Sequence, residues 1–216
     1  MSVNLIKVNT LEEIKKNKVI AVIRAETPDK ALEFARGCIE GGLKLIEVTF
    51  SFPRVERVIA ELSKIEGVLI GAGTLLDVNM AKRALYSGAN FLVSPHTDED
   101  IIDLAKSNGI LTIQGALTSS EIVNARKLGV DMVKIFPVSA VGGPSYIKAI
   151  KDPLPFTEIM TTGGVNYDNF LDYIKAGASA VGLSSAFLTE DKKIKSDTVI
   201  ENTRKIVERL STLNKE

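Results

Sequence analysis

The stretch Asp131-Met132-Val133-Lys134-Ile135-Phe136-Pro137 sets a lysine in the middle of an apolar run. Read as a strand, it places Val133 and Ile135 on one face and Met132, Lys134 and Phe136 on the other. An amine held there is cut off from bulk water. Desolvation disfavours its charged form and leaves part of the population as a free amine, which attacks a ketone to give a Schiff base. Taken alone, Lys134 is better read as a strand-end cation that snorkels outward; its company changes the odds. In Leu43 to Phe50, the face of Ile46, Val48 and Phe50 has to meet helices, so Glu47 and Thr49 point inward with Leu45. A carboxylate in that position is costly unless something uses it. The same alternation groups Arg24 with Ile20 and Val22, Thr74 with Ile70 and Ala72, and Thr162 with Glu158 and Met160. Each has an ordinary explanation on its own: a structural ion pair for Glu47, a surface cation for Arg24, routine strand residues for the threonines. Their joint position at strand ends is what points to a site.

Two glycine-bearing segments add a binding function. Thr161-Thr162-Gly163-Gly164-Val165 and Val181-Gly182-Leu183-Ser184-Ser185 follow the last two predicted strands. Backbone N–H groups left bare by glycine aim partial positive charge at one spot, and a serine hydroxyl adds a donor, which suits a phosphate. A pair of tight turns is the plain alternative.

These residues need a scaffold that brings many strand ends together. Apolar, β-branched runs occur near Val19 to Arg24, Lys44 to Thr49, Leu69 to Gly73, Phe91 to Ser94, Ile110 to Gln114, Met132 to Phe136, Glu158 to Thr162 and Ala180 to Leu183. Their starts are about 20 to 26 residues apart, the spacing of a βα repeat. Amphipathic stretches lie between them: Asp29 to Gly41, Arg54 to Ser63, Asn79 to Tyr86, Asp98 to Ser107, Ser119 to Leu128, Pro144 to Ile150, Tyr167 to Lys175, and a closing helix near Asp197 to Leu213. Thr118 or Ser119 can cap the helix bearing Glu121, and Gly88, Gly109, Gly129 and Gly177 fit helix stops. Eight units predict an α/β fold, a (β/α)8 TIM barrel spanning residues 1–216 as one domain, with a helical segment at Leu11 to Lys16 covering its lower mouth. An open doubly wound sheet fits less well, because no G-x-G-x-x-G follows the first strand.

Composition narrows the chemistry. Basic and acidic side chains balance at 27 each, which leaves no electrostatic footprint for nucleic acid or an anionic membrane and favours a small-molecule partner. The single Cys38 excludes an intrachain disulfide, and no apolar run approaches the ~20 residues of a membrane span. Lys7, Glu12, Glu13, Lys15 and Lys16 interrupt any signal-peptide core, so a cytoplasmic protein is expected. The lone His96 cannot supply the two or three imidazoles of a usual catalytic zinc or iron site, and no G-x-S-x-G accompanies it. A carboxylate-bound magnesium stays possible, but metal-free chemistry without a cofactor is the expectation.

Ile46-Glu47-Val48-Thr49, Gly71-Ala72-Gly73-Thr74, Ser94-Pro95, Val133-Lys134-Ile135-Phe136-Pro137, Gly142-Gly143 and Thr162-Gly163-Gly164 occur in one order and spacing between about Lys18 and Leu188. In this the chain resembles the 2-keto-3-deoxy-6-phosphogluconate (KDPG) and 4-hydroxy-2-oxoglutarate (KHG) aldolase family. The resemblance implies a metal-independent class I aldolase on a barrel, commonly a trimer. Residue by residue, it implies that Lys134 forms the Schiff base and Glu47 is the general acid/base. It further implies that Thr74 contacts the pyruvyl carboxylate, Pro95 lines the site, Thr162 lies near the substrate hydroxyls, and Gly163, Gly164 and Ser184 or Ser185 hold phosphate. Family members often carry an arginine where Ser51 stands; Arg24 resembles the variant subgroup that supplies an anion-binding arginine from the first strand. A Pro of the Pro-Thr-Gly-Gly pattern is Thr161 here, and a Pro-Gly after the fifth strand is Gln114-Gly115.

The expected reaction is cleavage of a 2-keto-4-hydroxy acid to pyruvate and an aldehyde, most simply glyceraldehyde 3-phosphate, or glyoxylate from the smaller keto acid. Two rivals stand beside it: a phosphosugar isomerase or epimerase using Glu47 as a base, and a non-catalytic barrel that binds a phosphorylated metabolite.

Overall fold

The computed structural model describes residues 3–214. After helix α1 (Val3–Asn17), strands and helices alternate: β1 (Val19–Ile23), α2 (Pro28–Glu40), β2 (Leu45–Thr49), α3 (Val55–Leu62), β3 (Leu69–Gly73), α4 (Val78–Tyr86), β4 (Phe91–Val93), α5 (Glu99–Asn108), β5 (Leu111–Gly115), α6 (Ser119–Lys127), β6 (Met132–Ile135), α7 (Pro144–Lys151), β7 (Ile159–Thr161), α8 (Phe170–Lys175), β8 (Ala180–Leu183) and α9 (Ser196–Ser211). Each strand pairs in parallel with the next, and β8 pairs with β1, closing the expected (β/α)8 barrel.

Strand alternation divides the apolar residues into two layers. Ile20, Leu45, Phe91, Val93, Leu111, Ile113, Met132, Met160 and Ala180 fill the barrel interior, and Ile14 of α1 joins them from below. Val19, Ala21, Ile23, Ile46, Val48, Val133, Ile135 and Val181 face the surrounding helices. Helix α1 is longer than the six residues that the sequence pattern indicates. Tertiary contacts extend it: Ile14 is fully buried, Lys15 meets Glu158 at 3.1 Å and Lys7 meets Asp131 at 2.9 Å, both acids lying near the lower ends of strands.

The helix ends follow their capping residues. Thr118 and Glu121 form a reciprocal capping box at α6, and the Thr27, Asp77 and Asp98 side chains cap α2, α4 and α5. Gly88, Gly109, Gly129 and Gly177 all have positive φ after a helix, as expected of stops. Helix α8 starts three residues later than its periodicity suggests. Asn166 and Asn169 hydrogen-bond the local backbone in a turn, which competes with helix over that stretch.

One strand reads the other way round. Ile70 and Ala72 pack against helices, and Gly71 and Gly73 face the interior. A Cβ on Gly71 would lie 2.1 Å from the Phe91 ring, and one on Gly73 only 1.9 Å from Glu47 Oε1. The interior is already filled at these levels, so β3 has to present its glycines there. Thr74 then leaves the strand in the left-handed region, with φ of 59°. Its placement does not come from simple alternation with Ile70 and Ala72.

Candidate active site

Lys134 sits on β6 beside Met132 on the interior face, and Glu47 sits on β2 beside Leu45. The Lys134 Nζ atom lies 3.7 Å from Glu47 Oε1, with side-chain exposures of 6% and 0%. At that separation the pair is held by charge and proximity rather than by a hydrogen bond. Both Glu47 carboxylate oxygens lack any hydrogen-bond partner among the described residues. A buried carboxylate with two unfilled acceptors is costly, and among the described residues Lys134 is its one close counter-charge. Gly73 provides the space that the carboxylate occupies.

Lys134 opens onto a cavity of about 310 Å³ at the carboxyl ends of β1, β6, β7 and β8. Arg24 stands on one side of it, one residue past β1, exposed and without an ion pair among the described residues. Thr162 also lines it, its hydroxyl buried and without a partner among the described residues. Gly163, Gly164, Ser184 and Ser185 complete the rim. Gly163 and Gly164 both have φ of 85°, a conformation that L side chains rarely adopt, and a Cβ on Gly164 would also strike Ser139 at 2.3 Å. Their backbone N–H groups bond to no other group among the described residues, so both stay free for a ligand. Gly182 allows close approach from below, since a Cβ there would lie 2.3 Å from Thr162 Cγ2.

The structure therefore gathers Lys134, Arg24, Thr162, Gly163, Gly164, Ser184 and Ser185 around one cavity, with Glu47 buried 3.7 Å from Lys134. Pro95 lines a neighbouring cavity of about 410 Å³ together with His96, Gly115 and Ala116. Phe136 is common to both cavities, and its ring centre is 5.6 Å from Lys134 Nζ. Thr74 is half-buried and lines neither of the two. Sequence reasoning did not give Phe136 a part in the site. The available signal was its position two residues beyond Lys134 on the same strand face, followed by a proline. Gln114 faces outward: it accepts from Asp98 N at 3.3 Å and donates to Thr112 Oγ1 at 2.6 Å, so it fastens the start of α5 and does not enter the cavity. Gly115 beside it faces inward, where a Cβ would collide with the Pro95 carbonyl at 2.0 Å.

Among the described residues no cluster of three or more His, Cys, Asp or Glu side chains could hold a metal ion, and no helix is long and apolar enough to cross a membrane. The arrangement offers an amine, a carboxylate beneath it and a rim of anion-binding groups.

Comparison with known proteins places this arrangement among relatives. A probable 2-dehydro-3-deoxy-6-phosphogalactonate aldolase from Rhizobium meliloti is 36% identical over 171 residues, covering 78% of this chain and 80% of its own. The 2-dehydro-3-deoxy-6-phosphogalactonate aldolase of Escherichia coli is 34% identical over 170 residues, covering 77% and 82%. A solved structure described as native KDPGal superposes with a TM-score of 0.83 at 29% identity, over 92% of this chain and 96% of that one. A KDPG aldolase from Legionella pneumophila, with pyruvate captured as a covalent carbinolamine, superposes with a TM-score of 0.76 at 26% identity over 96% of both chains. The model of the aldolase family described as KDPG and KHG aldolase matches residues 10–205. The chain belongs to the KDPG and KHG aldolase family.

Proposed function

We propose that this protein is a class I aldolase that cleaves a 2-keto-4-hydroxy acid, with 2-keto-3-deoxy-6-phosphogluconate the foremost substrate and 4-hydroxy-2-oxoglutarate a smaller one. The observation that carries this reading is a buried amine 3.7 Å from a buried carboxylate, at the floor of a cavity rimmed by bare glycine N–H groups, two serines and an unpaired arginine.

The chemistry follows from a single shared proton. The resting ammonium and carboxylate offset each other's buried charge, and passing the proton from Lys134 to Glu47 leaves the free amine and the acid that the reaction needs. The Lys134 amine attacks the C2 ketone to give a carbinolamine. Glu47 protonates the departing hydroxyl, water leaves, and an iminium forms. Glu47, now a carboxylate, takes the C4 hydroxyl proton directly or through water. The C3–C4 bond breaks, its electron pair moves into the iminium, and an aldehyde leaves. Glu47, again an acid, protonates the enamine at C3; water then adds to the iminium, giving a proton back to Glu47, and collapse of the carbinolamine frees pyruvate and restores the lysine amine. Glu47 starts each half of the sequence in the state that the preceding half leaves it in.

In this reading Arg24 binds an anionic group of the substrate by charge-assisted hydrogen bonds, and Thr162 contacts a hydroxyl. Gly163, Gly164 and the Ser184-Ser185 pair hold the phosphate. Pro95 and Thr74 bound the pyruvyl end from outside the cavity lining, Phe136 forms the wall between, and no cofactor takes part. The family resemblance further suggests a cytoplasmic homotrimer, which light scattering on the purified protein tests.

The experiment is a pyruvate-release assay comparing 2-keto-3-deoxy-6-phosphogluconate, its unphosphorylated counterpart and 4-hydroxy-2-oxoglutarate. Faster cleavage of the phosphorylated acid supports the reading in full. Pyruvate from none of the three refutes it.

A further inference from the structure

Thr49 lies on the interior face of β2 and is fully buried, yet it is not within the cavity lining. Its hydroxyl donates to the Ile23 carbonyl at 2.8 Å and sits 2.7 Å from Ser51 Oγ. A hydroxyl has one proton. Thr49 gives its proton to Ile23, so Ser51 is the donor in the second contact, and the order is Ser51 hydroxyl to Thr49 hydroxyl to Ile23 carbonyl. Hydrogen bonds in such a chain polarise and strengthen one another. The Ser51 backbone N–H also donates to the Thr49 carbonyl at 2.8 Å, folding Ser51 back over the strand end.

The chain ends at the last residue of β1. Ile23 is paired with Val48 in the β1–β2 register, so the next residue, Arg24, emerges beside Thr49. Arg24 has no ion pair of its own among the described residues, and nothing on its side chain fixes where the guanidinium sits. Its backbone has to do so. The carbonyl immediately before Arg24 is the group that the Ser51–Thr49 chain grips.

Resting on the reading of Arg24 as the anion-binding group, we propose that Thr49, assisted by Ser51, is a positioning residue for Arg24 and thereby sets affinity for the anionic substrate. Thr49 touches no substrate atom. It fixes the strand end from which Arg24 reaches into the cavity, and Ser51 orients the Thr49 hydroxyl toward Ile23.

A double-mutant cycle on the full chain tests this, with 2-keto-3-deoxy-6-phosphogluconate as substrate and the thermal midpoint recorded for every variant. Loss of one charge-assisted contact predicts that Arg24→Gln raises KM about 10- to 100-fold. Thr49→Val should raise KM about fivefold to tenfold with kcat within about twofold, and Thr49→Ser should restore it. In the Arg24→Gln background, Thr49→Val should raise KM no further, because the group it positions is gone. At saturating pyruvate, covalent trapping on Lys134 should persist in every variant, which separates a loss of affinity from a loss of the amine. Should Thr49→Val fail to fold, Ser51→Ala, at an exposed position, runs the same cycle with about a twofold to threefold effect. A KM unmoved by Arg24→Gln overturns the reading of Arg24 itself. A KM raised by Arg24→Gln but unmoved by Thr49→Val, or effects of the two that multiply independently, overturns the positioning role alone.

Discussion

Replacing Lys134 with methionine keeps much of the side chain's volume and removes its nitrogen, which isolates the Glu47 carboxylate. At 3.7 Å, and with an effective dielectric of about 20, a paired ammonium and carboxylate attract by about 4 to 5 kcal/mol. That agrees with the ~3–5 kcal/mol seen when one member of a buried pair is removed. For a chain of this size, Lys134→Met should lower the thermal midpoint by roughly 6–20 °C at pH 7 and leave a folded barrel. Glu47→Gln in the same chain should recover most of the loss, because the amide carries no charge. Scanning calorimetry at pH 7 on the two single variants and the double variant reads both effects. A double variant no more stable than Lys134→Met would refute the coupling of these two side chains, as would a single variant with no loss.

Gly73→Ala places a methyl 1.9 Å from Glu47 Oε1, so the carboxylate has to swing away from Lys134; turnover should fall at least about 100-fold with the barrel intact by circular dichroism, and near-normal turnover would remove Gly73 from its role. Thr161 carries a buried hydroxyl with no partner among the described residues, so the near-isosteric Thr161→Val should raise the thermal midpoint, with about 1 kcal/mol gained; a fall would show that the hydroxyl has a partner. Glu158 is pushed up by partial burial but pulled further down by hydrogen bonds from Ser179 and Lys15, leaving it below the usual carboxylate range. A group with a lowered folded value supports stability above its unfolded value and loses that support as pH falls through the folded one. Stability should therefore decline below about pH 4 as α1 loosens from the barrel floor, and Glu158→Gln should flatten that part of the profile; an unaltered profile would assign the decline elsewhere.

Much of the scaffold was legible in the sequence because βα units announce themselves twice, through β-branched runs and through capping residues. The interior positions of Lys134 and Glu47 followed from the need of their opposite faces to meet helices, and their neighbours Met132 and Leu45 do lie in the barrel. Thr74 escaped the same logic for a steric reason. Phe91 and Glu47 fill the interior beside β3, only glycine fits opposite them, and the face that looked inward by composition packs against helices. The extent of α1 was hidden because its stability comes from Ile14 and from Lys7 and Lys15 meeting acids distant in sequence, which no local pattern records. Gln114 was ambiguous for a related reason: its partner, the Asp98 N–H, belongs to the preceding βα unit.

The reaction proposed for this barrel turns on Lys134 acting as the electrophile-capturing amine. Incubation with pyruvate and borohydride, followed by peptide mass mapping, tests that point most directly. The peptide containing Lys134 should gain the mass of one pyruvate less one water plus two hydrogens, and Lys134→Met should abolish the adduct. Unmodified Lys134 under conditions that reduce a control imine, or an adduct on a different lysine, would contradict it.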